Sequence, residues 1–210
     1  MLVISITVSL LILQLTMKEP ILQLRIVELG FSPSLAGLFF TVEVVSFMAT
    51  STTLSFIDRR YKNLDFILLM SVVLSIVGFF LMGPQYLLGS STSVVPICVG
   101  MFINGCTAAF AITNGVSAII EHKKYEYWDN EKEFHNMVSG TYSMFFALGE
   151  CAGPISGSML THYFNGFTSA MTVMGFIFCA FLPAAVYAYG ALGKRRRVKL
   201  GDYELIDEEN

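Results

Sequence analysis

The chain contains few charged residues. Asp, Glu, Lys and Arg make up 14% of its 210 residues, and hydrophobic residues make up 54%. A soluble domain has roughly 25% charged residues, so this composition argues against an ordinary water-exposed surface. The formal net charge of -3 gives no sign of nucleic-acid binding. We therefore expect a protein that lies in a lipid bilayer and has no nucleic-acid partner.

Several signatures of chemistry are also missing. The four cysteines show no C-x-x-C spacing, and the sequence has no Asn-x-Ser/Thr acceptor and no phosphate-binding loop. A G-x-S triplet at Gly115 to Ser117 is reminiscent of intramembrane serine proteases, but the last apolar run has no histidine to activate the serine. We expect no enzyme activity, no metal and no cofactor, and interpret the cysteines as small packing residues.

Apolar runs of at least 18 residues, long enough to cross about 30 Å of hydrocarbon, are the main positive signal. They predict six transmembrane helices, because backbone polar groups in lipid must be satisfied within the segment and the runs lack strand-like alternation. The fold class is thus an all-α membrane bundle. The predicted spans lie near residues 2–29, 33–56, 64–83, 93–120, 136–161 and 167–190.

Lys and Arg are absent from every second connection, around residues 30–32, 84–92 and 162–166. They are concentrated in the other connections and after the last span. Because cytoplasmic loops carry the excess of basic residues, both termini are expected in the cytoplasm. The predicted organisation is a membrane domain over residues 1–193 and a cytoplasmic tail over residues 194–210.

Ionisable residues inside the predicted spans point to function. An ionised side chain near the bilayer centre costs about 2.5 to 3.5 kcal/mol on insertion scales, so it needs a partner, a wet cavity or a role. Helical spacing places polar residues on stripes of four spans, which are predicted to converge on one aqueous cavity. The alternative is that they join helices through buried hydrogen bonds. The candidates for binding a substrate or a proton are Lys18, Glu19, Gln23, Glu43, Asn114 and Glu150.

Small residues in the fifth span repeat at fixed intervals. Gly149, Gly153 and Gly157 recur every four residues, which predicts a seam for close helix packing, and Pro154 removes one backbone hydrogen bond within it. With Gly140, the spacing resembles the G-x8-G-x3-G-P-x2-G pattern of the major facilitator superfamily, called motif C or the antiporter motif. Ser158 stands where the pattern has a last glycine.

Two further stretches resemble the same superfamily. The loop with Asp58, Arg59 and Arg60 is similar to its motif A, and the physical role of such a loop would be a cytoplasmic gate that holds helix ends. The alternative is a solvated basic loop. The stretch from residue 17 to residue 40 looks like the seventh span and following turn of the vesicular amine and polyamine branch, through Glu19, Pro20, Gly30, Ser32, Gly37, Leu38, Phe39 and Phe40.

The resemblance covers spans seven to twelve of a twelve-span transporter. It implies proton-coupled transport of a small, cationic organic solute by alternating access, with Glu43 and Glu150 binding charge and the glycines and Pro154 serving as a hinge. It also implies a second six-helix half: a missing N-terminal half, a second copy or a separate chain. A non-transporting subunit of a larger assembly is the alternative. Tyr203 and Ile206 fit a tyrosine-based sorting signal, which leaves a vesicular, endosomal or plasma membrane location open.

Overall fold

The computed structural model describes residues 2–56, 63–83, 94–123, 131–164 and 166–208, with residues 122–123, 131 and 192–208 described by their backbone alone. This part of the chain is helical and has no β-strand, so the all-α fold class is confirmed. A short 3-10 turn at Pro33–Leu35 precedes the third helix. The helices are α1 (Leu2–Thr16), α2 (Glu19–Glu28), α3 (Ala36–Phe56), α4 (Leu64–Met82), α5 (Val95–Lys123), α6 (Glu131–Tyr163) and α7 (Phe167–Glu208).

The first predicted span is divided into two helices. α1 ends at Thr16, α2 begins at Glu19, and Pro20 lies in the first turn of α2. Proline has no N–H to donate to the carbonyl four residues earlier, which belongs to Thr16, and its ring crowds that carbonyl. The apolar run therefore contains a break at Met17 and Lys18 rather than one uninterrupted helix.

Helices α1 and α5 form the middle of the bundle. α5 packs against α3, α4 and α1, while α1 also packs against α6, and α7 packs mainly on α4. Apolar side chains fill the spaces between these helices, among them Phe79 and Phe178, whose ring centroids are 5.3 Å apart. α3 and α6 consequently lie at opposite flanks of the bundle, each with one broad exposed side.

Five segments of the described chain are long and apolar enough to cross a membrane: Leu2–Glu28, Pro33–Phe56, Leu64–Met82, Val95–Glu121 and Phe167–Ala191. Such a set is what a multi-pass membrane protein requires. The fifth predicted span, near residues 136–161, forms a helix, α6, but α6 does not reach the same apolarity. The reason lies in its composition, since it carries Glu150 together with several Ser, Thr and Gly residues in place of large apolar side chains.

Three glycines of α6 lie directly against α1 and the residue that follows it. A Cβ atom at Gly149 would collide with the Ser9 carbonyl, one at Gly153 with Thr16 Oγ1, and one at Gly157 with the Met17 carbonyl. The Thr16 hydroxyl lies 3.5 Å from the carbonyl oxygen of Gly149. Helices in lipid gain little from apolar burial, so close backbone approach of this kind contributes much of their association. We call this contact the glycine seam.

Gly140, the first glycine of the motif, lies outside the glycine seam. It is exposed, and a Cβ atom built there would meet nothing within 4 Å. α6 continues through Pro154, so the proline interrupts the hydrogen-bond ladder without ending the helix.

Replacing Gly153 by alanine tests the glycine seam. The added methyl group overlaps Thr16 in the space between α1 and α6, and overpacking of this kind costs about 1 to 3 kcal/mol. We expect Gly153→Ala to lower the apparent melting temperature of the detergent-solubilised protein, measured by the loss of its monodisperse size-exclusion peak on heating. Gly140→Ala is the matched control and should be neutral or slightly stabilising, because alanine is favoured over glycine in helices by roughly 1 kcal/mol. Equal losses in the two variants would contradict the assignment.

Candidate functional site

A buried ion pair lies at the break between α1 and α2. Lys18 has no exposed side-chain surface and is among the largest fully buried side chains of the described residues. Its Nζ donates to Oε1 of Glu43 on α3, whose side chain is 5% exposed. The Lys18 residue itself precedes Pro20, so the helix break and the charged side chain coincide. This pair is the most unusual electrostatic feature of the described chain.

The opposing surfaces of α3 and α5 explain how Glu43 is held. Glu43 and Ser46 lie on the buried face of α3, and the Ser46 hydroxyl donates to the Glu43 backbone carbonyl over 2.8 Å. Gly105 of α5 lies directly opposite, where a Cβ atom would collide with Ser46 Oγ and the Glu43 carbonyl. The absence of a side chain at Gly105 thus allows α5 to lie close behind Glu43.

A second buried polar contact lies one helical turn before Lys18. Gln14 Nε2 donates to Thr107 Oγ1 over 2.6 Å, and the Thr107 hydroxyl donates to the Asn104 backbone carbonyl over 2.8 Å. Gln14 Oε1 is buried and has no hydrogen-bond partner among the described residues. Gln14, Lys18, Glu43 and Thr107 together are called the polar centre, which joins α1, the α1–α2 break, α3 and α5.

Not all predicted binding residues belong to the polar centre. Asn114 is buried on α5, but its amide donates to the Phe110 carbonyl of its own helix over 3.0 Å. It lies seven residues beyond Thr107, which is about 10 Å along the helix axis. Glu19 and Gln23 are exposed on α2. The structure therefore brings together only Lys18 and Glu43 from the predicted set.

Glu150 lies on an exposed side of α6. Asn136 and Ser143 precede it at intervals of seven residues and are also exposed, so the three side chains form one polar stripe on that side. Gly157, seven residues further on, is buried against Met17, and the stripe ends there. Among the described residues Glu150 is thus exposed on α6 while Glu43 is buried on α3, and their convergence on one cavity stays a prediction.

Some predicted residues fall where the structure gives no side-chain description. Asp58, Arg59 and Arg60, the proposed gate loop, lie outside the described residues, and so do the side chains of Tyr203 and Ile206. Within the described ranges, no three His, Cys, Asp or Glu side chains are grouped so that they could hold a metal ion.

Asn104 is a buried polar residue that sequence reasoning missed. Both polar atoms of its side chain are buried without a partner among the described residues, and its amide oxygen lies against Gly78 of α4. Its only signal in the sequence is its position beside Gly105 inside an apolar run, a pairing of a polar and a small residue typical of helix contacts in membranes.

Comparison with known proteins identifies no relative. No protein-family model matches the sequence, and no curated protein or solved structure matches the chain. The interpretation of the site consequently depends on its own geometry and on the motifs in the sequence.

Single and double replacements test the buried pair. Lys18→Met leaves the Glu43 carboxylate without its partner, and Glu43→Gln leaves the Lys18 ammonium without one. Removing one member of a buried pair typically costs 3 to 5 kcal/mol, whereas replacing both by neutral groups is often neutral. We expect each single variant to melt at a clearly lower temperature and the double variant to recover most of the loss. Additive losses in the double variant would show that the two side chains are not coupled.

Proposed function

We propose that the chain is one six-helix half of a secondary active membrane transporter of major facilitator type. In this proposal it works with a second six-helix half, and it moves a small, cationic organic solute in exchange for protons by alternating access. All six predicted spans cross the bilayer and both termini face the cytoplasm. The proposal applies equally to export across the plasma membrane and to uptake into a vesicle.

The observation that carries the proposal is the Lys18–Glu43 pair at the break of the first apolar segment. Ionisable residues within membrane segments are rare and usually mark ion or substrate pathways. Secondary transporters commonly form their binding sites at discontinuous helices near the middle of the bilayer. The first apolar segment, of 27 residues, has both a buried ionisable residue, Lys18, and a helix break at the same place.

The polar stripe of α6 supports a second half. A carboxylate such as Glu150 exposed to hydrocarbon would cost about 2.5 to 3.5 kcal/mol, so its side of α6 requires a protein or water in front of it. The same stripe explains why α6 is less apolar than the other five segments. On the adjoining side α6 exposes large apolar residues suited to lipid, namely Met137, Met144, Leu148, Ile155 and Met159.

In this mechanism the residues have different roles. Glu43 binds charge inside the chain, while Glu150, Glu19 and Gln23 face the aqueous space between the two halves. The glycine seam allows α6 to stay closely packed on α1 while one half rocks against the other. Alternating access of this type requires a site near the midplane that each half approaches in turn.

A non-transporting subunit is the second candidate, and one observation favours it. Such a subunit would hold its membrane carboxylates with fixed basic partners, and Glu43 is held by Lys18 in this way. Glu150 has no basic side chain within salt-bridge distance among the described residues. The two candidates therefore differ in whether the Lys18–Glu43 pair opens during a working cycle.

Proton flux through the native particle tests the proposal. The complete particle would be purified from its own membranes, its chain composition determined by mass spectrometry, and the particle reconstituted into liposomes with an acidic interior. A panel of organic amines is then added while a pH-sensitive dye reports the lumen. We expect at least one amine to release protons from the lumen. We expect Glu43→Gln to reduce that flux by about tenfold or more, since a hydrogen bond to a charged group contributes about 1.5 to 3 kcal/mol.

Glu28→Gln is the matched control for this assay. Glu28 forms a surface ion pair with Arg25 over 3.1 Å, and exposed pairs contribute little, so its loss should leave flux unchanged. A particle that lacks a second six-helix body and gives no amine-dependent flux would favour the non-transporting subunit.

A further inference from the structure

We propose that Glu43 is a proton-binding site for which the Lys18 ammonium is the built-in competitor, and that Gln14 receives the ammonium when the proton arrives. The inference rests on the proposed function for its place in a transport cycle. Its chemistry, however, concerns only the described residues of this chain.

The contact geometry provides the first step. Lys18 donates to one carboxylate oxygen of Glu43, Oε1, and no described residue donates to the other oxygen. Glu43 also keeps 5% of its side-chain surface exposed, whereas Lys18 keeps none. The ammonium therefore holds one oxygen of the carboxylate, and the other oxygen is left for a proton.

Charge balance provides the second step. The resting pair is neutral overall, since one carboxylate offsets one ammonium. When a proton from water adds to a Glu43 carboxylate oxygen, an O–H bond forms and the carboxyl becomes neutral, while Lys18 keeps its own proton. The site then carries one uncompensated positive charge, which is costly in a buried position and favours movement of the ammonium to another acceptor.

Gln14 supplies that acceptor. Its Oε1 is buried without a partner among the described residues, and its Nε2 is anchored to Thr107. Residues four apart in a helix are neighbours on one face, and Lys18 keeps helical backbone angles of φ -78° and ψ -25° despite the break. An unpartnered carbonyl oxygen one turn from a buried ammonium is a site to which the ammonium can transfer.

The other ionisable groups around Glu43 are few. Glu19 is the neighbour of Lys18, and its charge interacts with Glu43. On α5 the Cys106 thiol follows Gly105 in the sequence, and it accepts a hydrogen bond from Thr50 of α3 over 3.2 Å. Lys18 is therefore the only cation that contacts Glu43 among the described residues.

Labelling with N,N′-dicyclohexylcarbodiimide tests the inference, because this apolar reagent adds to protonated carboxyl groups buried in membranes. The full native particle is treated at pH 7 and at acidic pH, and modification of the Glu43 peptide is followed by mass spectrometry. We expect slow labelling of wild type at pH 7 that rises on acidification. Lys18→Met should label roughly tenfold faster or more at pH 7, because a buried carboxyl without its cation takes up a proton.

Gln14→Leu tests the acceptor. Without the Gln14 carbonyl the ammonium stays on Glu43, so acid-stimulated labelling of Glu43 should fall to less than about half of the wild-type value. In the double variant Lys18→Met with Gln14→Leu there is no ammonium to transfer, so Glu43 should be labelled as fast as in Lys18→Met alone. Arg25→Met is the control and should not change Glu43 labelling. Equal rates in wild type and Lys18→Met would overturn the competition, and an unchanged acid response in Gln14→Leu would overturn the transfer. Because labelling requires no transport, a particle without flux would leave both results interpretable.

Discussion

A fully buried ammonium imposes the strictest constraint on this structure. Lys18 lies where α1 gives way to α2, and burying a single charge there would be severely unfavourable without the carboxylate of Glu43. The position of α3 relative to α1 follows from that requirement, since Glu43 must point inward. Gly105 then determines how closely α5 can lie behind it. One ion pair thus relates α1 to α3 and, through Gly105, to α5.

Glycine has a comparable role at the other helix contacts. α6 meets α1 through Gly149, Gly153 and Gly157, and α4 meets α5 at Gly78. In water such contacts would lose the benefit of burying large side chains. In lipid that benefit is small, so a surface that lets backbones approach closely becomes the better contact. The bundle is therefore held by small residues between its helices, while its large apolar residues either fill the core or face outward.

The sequence was sufficient to predict the helices, but it was not sufficient to predict which helices pack against each other. Apolar run length depends on neighbouring residues, so the helical class could be identified without tertiary information, whereas the prediction of one span over residues 2–29 missed the break before Pro20. Glu43 and Glu150 looked equivalent, since each is a carboxylate in the middle of an apolar run. Their difference arises because α3 turns its carboxylate toward Lys18 and α6 turns its carboxylate outward, and that orientation depends on contacts between distant segments. Asn114 lies away from Lys18 and Glu43 for a related reason, since a polar stripe predicts one side of a helix but not which neighbouring helix covers it.

The charged residues discussed above fall into two groups, which differ in whether their charges are paired within the chain. The inner group, centred on Lys18 and Glu43, has its charges matched within the chain, so the chain can bury it without assistance. The outer group, represented by Glu150 and Glu19, is exposed on α6 and α2. In the proposed six-span arrangement this outer group lies in the bilayer, which offers a carboxylate neither hydrogen bonds nor countercharge, so water or another protein surface must lie against it. The inner pair accordingly explains the positions of α1 and α3, and the outer carboxylates mark the side on which the proposed arrangement requires a further polar surface.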